Sequence, residues 1–288
     1  LFPYTTLFRS NTMNTSYKDA KTQLMRVGNE NIAYRRLGDE SKPVLLFLNH
    51  LAATLDNCDP AIMDGFAKSY SVIAIDYRGV GKSTGKPRRT IEEMADDVIN
   101  FVEAMNLSNI RLLGFSLGGF VAQQVLLKAP NLCVKAILAG TGGAGGKGIS
   151  RVGLVTYWDM LRGLLTFRDP KYYLFFPMIA EGKTAARDFL KRIKRRTECD
   201  DPIRLYAFQA QLSAISLWGK RSQDDLSKVH IPVWVVNGDS DRMVPTLNSY
   251  DLAKRIPGAQ LTIYPKAGHG GIFQYHLLFV KEGLKFLK

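Results

Sequence analysis

The chain is poor in the residues that staple a fold or hold a metal. Its 288 residues include three cysteines, Cys58, Cys133 and Cys199, far apart and without a CxxC or Cys/His spacing. That pattern argues against a disulfide framework or a zinc site and fits small hydrophobes in a reducing compartment. No apolar run reaches the roughly eighteen residues of a membrane-spanning helix. The opening lacks the basic start and small-residue cleavage site of a secretory signal. There is no internal repeat and no low-complexity tract. These absences lead to the expectation of a cytoplasmic protein with no membrane partner, no metal and no organic cofactor. The oligomeric state is left open.

What is abundant is positive charge, a net +13. The densest basic run, "FLKRIKRRTE" (189–198), interleaves Lys191, Arg192, Lys194, Arg195 and Arg196 with Phe189, Leu190 and Ile193. At helical spacing the apolar three share one face, so the run reads as an amphipathic helix with a basic, solvated outside. No recognition helix, zinc finger or RNP-type pattern accompanies it, and no nucleic-acid partner is expected. The charge balance would still concentrate acidic substrates at low salt. The first ten residues, "LFPYTTLFRS", match the in-frame translation of a common sequencing adapter. Residues 1–12 are therefore set aside as an artefact with a disordered tail, and Met13 is the expected start.

A composition of 46% hydrophobic residues supports a large core. "QLMRVGNENIAYRRLG" (23–38) alternates and breaks at Gly28-Asn29, the pattern of a β-hairpin. "KPVLLFLNHL" (42–51) and "YSVIAIDYRG" (70–79) are near-continuous apolar runs, as expected of strands covered on both faces. "TIEEMADDVINFVEAMNL" (90–107) has helical period, with Thr90 and Glu93 forming a capping box. A strand "NIRLLGF", a helix "GGFVAQQVLLKAP" and a strand "VKAILAG" follow. Later come strands "IPVWVVNG" and "QLTIYPKAGH" around a helix "LNSYDLAKRI", then a closing helix over about 275–287. Such alternation predicts an α/β fold with a mostly parallel central sheet flanked by helices. It breaks once. Residues 141–228 contain helical, aromatic-rich segments and no strand-like run, which predicts an all-helical insertion late in the sheet. The glycine-rich "GTGGAGGKG" (140–148) would be its hinge, and 13–140 with 229–288 would form the core.

In "LLGFSLGG" (112–119), Ser116 follows a strand and precedes a helix, the context of a nucleophile elbow. Such a turn lifts the hydroxyl above the sheet and brings the residues two positions either side too close for side chains, hence Gly114 and Gly118. The G-x-S-x-G pattern alone arises by chance in roughly one such sequence in nine, so the context decides. A serine nucleophile needs a base, and the base an orienting carboxylate. Among four histidines, His50 precedes the serine, His230 enters a strand at its wrong end, and His276 lies in the terminal helix. His269, in the glycine-flanked loop "PKAGHGGIF" after the last strand, is left as the base. "VVNGDSDRMVP" offers Asp239 and Asp241 as the acid.

The last stretch resembles the G-x-x-D-x-x-V-P pattern of the α/β-hydrolase family, which implies Asp241 as the acid and Asp239 as a turn residue. "DYRGVGKS" (76–83) resembles the family's D-x-R-G-x-G-x-S segment, with a turn-and-packing role. The resemblance runs from Gln23 to Lys288. It implies an α/β-hydrolase fold whose helical insertion caps the triad. It also implies an oxyanion hole of two main-chain N–H groups, one from Leu117. The loop "NHLAATLDNCDP" is similar to that of 3-oxoadipate enol-lactone hydrolases, which assigns the second N–H to Leu51, with Ala52 as the alternative. Cys58 stands where that loop usually has tryptophan, a departure that touches the pocket wall. His50 would line the entrance or pin the loop.

Tyr157, Trp158, Leu161, Tyr172, Phe175, Phe176 and Met178 are candidates to face the pocket from the cap, with Trp158, Tyr172 and Phe176 assigned to its wall beside His50. A serine at the elbow argues against the carboxylate-nucleophile chemistry of haloalkane dehalogenases and epoxide hydrolases. The expected activity is a serine hydrolase cleaving a small-to-medium ester or lactone. A carbon–carbon bond hydrolase or a cofactor-free perhydrolase on the same triad stays open, as does a non-catalytic ligand receptor.

Overall fold

The computed structural model of the chain describes residues 16–288. The reading of residues 1–12 as an artefact, and of Met13 as the start, lies outside them. The hairpin forms as expected from β1 (Gln23–Val27) and β2 (Glu30–Leu37), with Gly28 at φ 58° in its two-residue turn. β3 (Val44–Leu48), α1 (Pro60–Ala67), β4 (Ser71–Ile75), α2 (Ile91–Ala104), β5 (Ile110–Phe115), α3 (Leu117–Lys128) and β6 (Cys133–Ala139) alternate. After the insertion come β7 (Val233–Gly238), α8 (Leu247–Arg255), β8 (Gln260–Tyr264), α9 (Gly271–Gln274) and α10 (His276–Leu287).

The eight strands form one sheet in the order β1-β2-β4-β3-β5-β6-β7-β8. β2 joins β4 antiparallel, and every pairing from β4–β3 through to β7–β8 is parallel. The central strands are mostly apolar because helices cover both faces; β4 and β7 are buried at every position, whereas the edge strands β1 and β8 carry exposed residues. All the C-terminal ends of the parallel strands share one edge, where loops can assemble a site. Two expectations shift at element ends. β8 stops at Tyr264 because Pro265 lacks a donor and Lys266 adopts φ 51°. The closing helix divides at Tyr275 into α9 and α10.

Between β6 and β7 lie α4 (Val152–Thr166), α5 (Lys171–Leu174), α6 (Ala180–Ile193) and α7 (Leu205–Lys220), with no strand among these described residues. The glycine-rich segment read as the hinge of the insertion is packed: Gly142 O accepts from Gln123 Nε2 (3.0 Å) and Trp218 Nε1 (3.2 Å). The basic run ends α6 and continues past it. Its apolar face is buried as expected, but its outside is not simply solvated. Arg192 forms a fork with Asp59, the fully buried N-cap of α1, at 2.6–3.1 Å. Arg196 pairs with Asp56 (3.3 Å) and donates to the carbonyls of Lys18 and Ala20. Asp200 reaches the fully buried Arg35 of β2 at 2.7 Å. These ion pairs tie the helical insertion to the sheet. Among the described residues no helix is long and apolar enough to cross a membrane.

Candidate active site

The apolar run of β5 ends at Phe115 and α3 starts at Leu117, leaving Ser116 alone on the turn at φ 57°, ψ −117°. A non-glycine residue there costs on the order of 1–3 kcal/mol and persists only where the surroundings hold it. Here they do. Ser116 N donates to Ala139 O of β6 (2.9 Å), and Ser116 O accepts from Thr141 Oγ1 (2.9 Å) and Gly119 N (2.8 Å). A Cβ on Gly114 would lie 2.4 Å from Gly118 O, and one on Gly118 would lie 2.0 Å from Leu48 O. The two glycines therefore let the elbow close and bring the end of β3 against the start of α3.

The loop after β8 carries His269 to the elbow. Its Nε2 lies 2.8 Å from Ser116 Oγ and its Nδ1 2.7 Å from Asp241 Oδ2, the second group arriving from the loop after β7. Asp241 can only accept, so Nδ1 carries the proton and Nε2 is left to accept the serine hydroxyl. Asp241 Oδ1 accepts from the N–H groups of Met243 (2.8 Å) and Val244 (3.0 Å), which fixes the carboxylate's angle. Asp239 does more than cap its own turn. Its carboxylate accepts from the N–H of Lys266 (2.8 Å) and Ala267 (3.2 Å) and so pins the histidine loop. Both histidine and acid side chains are fully buried.

The loop after β3 is held by Asn49. Its side chain accepts from His50 N (2.9 Å) and donates to Thr54 O (3.2 Å) and Cys58 Sγ (3.5 Å). Cys58 is thus a buried loop support and not part of the cavity lining; burial pushes its thiol up to about 12. Ala52 adopts φ 62° and its N–H donates to Gln211 Oε1 of α7 at 2.8 Å. That occupies the alternative oxyanion donor. Among the described residues neither the Leu51 nor the Leu117 N–H has a hydrogen-bond partner. His50 is buried, and burial, reinforced by the nearby Lys171 cation, lowers its pKa to about 3. It stays neutral and donates Nδ1–H to Leu51 O (2.7 Å), with its ring edge-on to Phe175. His50 therefore both pins the loop and lines the cavity.

A cavity of about 330 Å³ opens over Ser116 and His269, walled by His50, Leu51 and Ala52 from below. From above come Thr156 and Met160 of α4, Leu174, Phe175, Leu205 and Phe208. Lys171 and Asp169, 3.4 Å apart, are its charged pair. Phe175 lies where the sequence reading allowed; Trp158, Tyr172 and Phe176 do not line this cavity. On α4, Thr156 and Met160 are one turn apart and both line the cavity, so Trp158 lies about 200° round the helix from Thr156 and is two-thirds exposed. Tyr172 is buried under Arg168, 4.5 Å from its ring, and Phe176 packs on Phe189 at 5.7 Å. Gln211, Thr156 and Met160 were missed by sequence reasoning. Only the four-residue spacing of Thr156 and Met160 hinted at a shared face.

The chain matches the alpha/beta hydrolase fold family model over residues 43–274. An alpha/beta hydrolase fold protein from Chitinophaga pinensis is 34% identical, with a TM-score of 0.90 over 94% of this chain and 98% of that one. Serine hydrolase BPHL of Mus musculus is 24% identical over 279 residues, 94% of this chain and 85% of that protein. The enol-lactonase from Burkholderia xenovorans LB400 is 18% identical with a TM-score of 0.73, covering 92% of this chain and 99% of that one, a likeness of fold alone.

Proposed function

Since the chain belongs to the alpha/beta hydrolase family and is a hydrolase, we propose that it cleaves small-to-medium carboxylic esters or lactones through an acyl-enzyme on Ser116. His269 accepts the Ser116 proton as Oγ attacks the carbonyl carbon, and Asp241 stabilises the imidazolium that results. The N–H groups of Leu51 and Leu117 receive the oxygen as it becomes negative, each worth about 3–4 kcal/mol of transition-state stabilisation. His269 then protonates the leaving alkoxide; water repeats the sequence on the acyl-enzyme. In a lactone the leaving oxygen stays attached to the acyl group, and the steps are otherwise the same. The helices of the insertion act as the cap, closing an apolar cavity around the acyl chain.

The reading rests on one observation above others: the unbroken line Asp241–His269–Ser116, at 2.7 and 2.8 Å, ending in a cavity. A fluorophosphonate probe should label the wild type and not Ser116→Ala. Turnover of p-nitrophenyl butyrate should fall on the order of 10⁴-fold or more in that variant with folding unchanged. Equal labelling of both would overturn the assignment of the nucleophile. Turnover of β-diketones in preference to esters and lactones, by the same triad, would replace the bond type and keep the site.

A further inference from the structure

Helix α4 is amphipathic the wrong way round. Its buried stripe is Val152, Thr156, Asp159 and Gly163, while Leu154, Trp158, Leu161, Leu164 and Leu165, with Phe167 just beyond, face solvent. Phe167 is 96% exposed. A surface helix ordinarily places its large apolar residues inward, and an exposed apolar patch of this size marks an interaction face. The face is continuous with the cavity mouth, because Met160 and Leu205 belong both to the cavity lining and to the exposed apolar set.

Charge selects the occupant. The one carboxylate on α4, Asp159, is fully buried and paired with Arg242, so the outer face of α4 presents no negative group. Arg151, Arg162 and Arg168 punctuate and flank it, and residues 141–228 hold 16 Lys/Arg against 9 Asp/Glu. A second copy docked by the same face would set these arginines against one another. An anionic bilayer surface receives both features: tryptophan, leucine and phenylalanine enter the headgroup–acyl boundary while the guanidinium groups meet phosphate. We propose that α4 docks the protein on an anionic lipid surface, with the mouth of the cavity facing that surface. The docking stands independently of the ester-or-lactone reading; only the consequence that acyl substrates enter from the lipid rests on it.

The protein carries its own probe. Of its three tryptophans, Trp218 and Trp234 are buried and Trp158 lies on the face in question. With phosphatidylcholine vesicles containing phosphatidylglycerol, Trp158 emission should shift to the blue and the protein should sediment with the vesicles. Partitioning should be at least about tenfold stronger than to phosphatidylcholine alone and should weaken as salt rises. Leu164→Glu/Leu165→Glu should abolish sedimentation without lowering the melting temperature or the turnover of soluble p-nitrophenyl butyrate. Failure of the wild type to sediment with anionic vesicles overturns the proposal. So does equal partitioning to neutral vesicles, or a dimer in solution that the double variant dissociates. Loss of esterase activity in Ser116→Ala with vesicle binding intact separates this surface from the site.

Discussion

Helices α3 and α4 are both rich in apolar residues, 12 and 15 residues long, and they border the same site from opposite sides. α3 is buried through ten of its positions, and even its glutamines are inside: Gln123 donates to Gly119 O and Gly142 O, and Gln124 to Asp224. α4 buries four positions and turns its largest apolar side chains outward. The difference follows from neighbours. α3 lies between the sheet, α2 and the packed glycine segment, and this enclosure holds Ser116 in its strained conformation. α4 lies on the outside of the insertion and contributes Thr156 and Met160 to the cavity lining. Composition specified neither outcome.

The comparison is tested most severely inside α3. Phe120 is 1% exposed, against Trp218 at 5.8 Å, and Phe120→Ala should destabilise the protein by about 3–5 kcal/mol in urea denaturation. A loss under about 1 kcal/mol would mean that the enclosure relaxes and does not hold the elbow. On the cap side the equivalent anchor is Gln211, which reaches down to the N–H of Ala52. Gln211→Ala frees a residue held at φ 62° beside the Leu51 donor, so kcat should fall roughly 10- to 100-fold with KM little changed. Gln211→Glu keeps an acceptor and should retain more activity than the alanine variant. A change confined to KM would make Gln211 a wall residue only.

How much of this was legible depended on distance along the chain. The elbow, the acid loop and the histidine loop are each a local pattern at the end of an apolar run, so Ser116 and His269 could be named from their surroundings and the acid narrowed to Asp239 or Asp241, with the resemblance to the α/β-hydrolase pattern choosing Asp241. The cavity wall was not legible in this way. Helical periodicity says that Thr156 and Met160 share a face with each other and not with Trp158, yet nothing local says which face meets the cavity. The roles of Arg192 and Gln211 rest on partners 133 and 159 positions away, Asp59 and Ala52, and no motif joins them. Cys58 shows the same gap: the loop pattern drew attention to it, but its burial behind Asn49 required the fold.

A smaller effect separates the enclosed floor of the site from its open rim. The folded protein keeps His50 neutral down to about pH 3, whereas the unfolded chain binds that proton near pH 6.5. The contribution is complete above pH 6.5 and is lost as pH falls from there toward 3, by about 2 kcal/mol between pH 7 and pH 5. Asp76, whose carboxyl burial pushes well upward, acts in the opposite sense as pH falls through its raised pKa, so the wild-type profile mixes the two. The comparison with His50→Gln isolates the histidine: the stability difference between the two proteins should shrink by about 2 kcal/mol on going from pH 7 to pH 5. A difference that does not change with pH would mean that water reaches the imidazole.

The smallest expected effect carries the most weight for α4. Leu164 stays 73% exposed on folding, so truncating it removes little transfer free energy, and alanine is the better helix former. Leu164→Ala should therefore leave the unfolding free energy within about 0.5 kcal/mol of wild type, whereas Leu126→Ala in α3, 3% exposed in the parent, should lose about 2–5 kcal/mol. Paired urea titrations at several protein concentrations measure both. Should Leu164→Ala cost more than about 1.5 kcal/mol, and more at higher protein concentration, the outer face of α4 is covered by a second copy in solution. The contrast between an enclosed helix and an open one would then reduce to two enclosed helices, one covered by its own chain and the other by its neighbour.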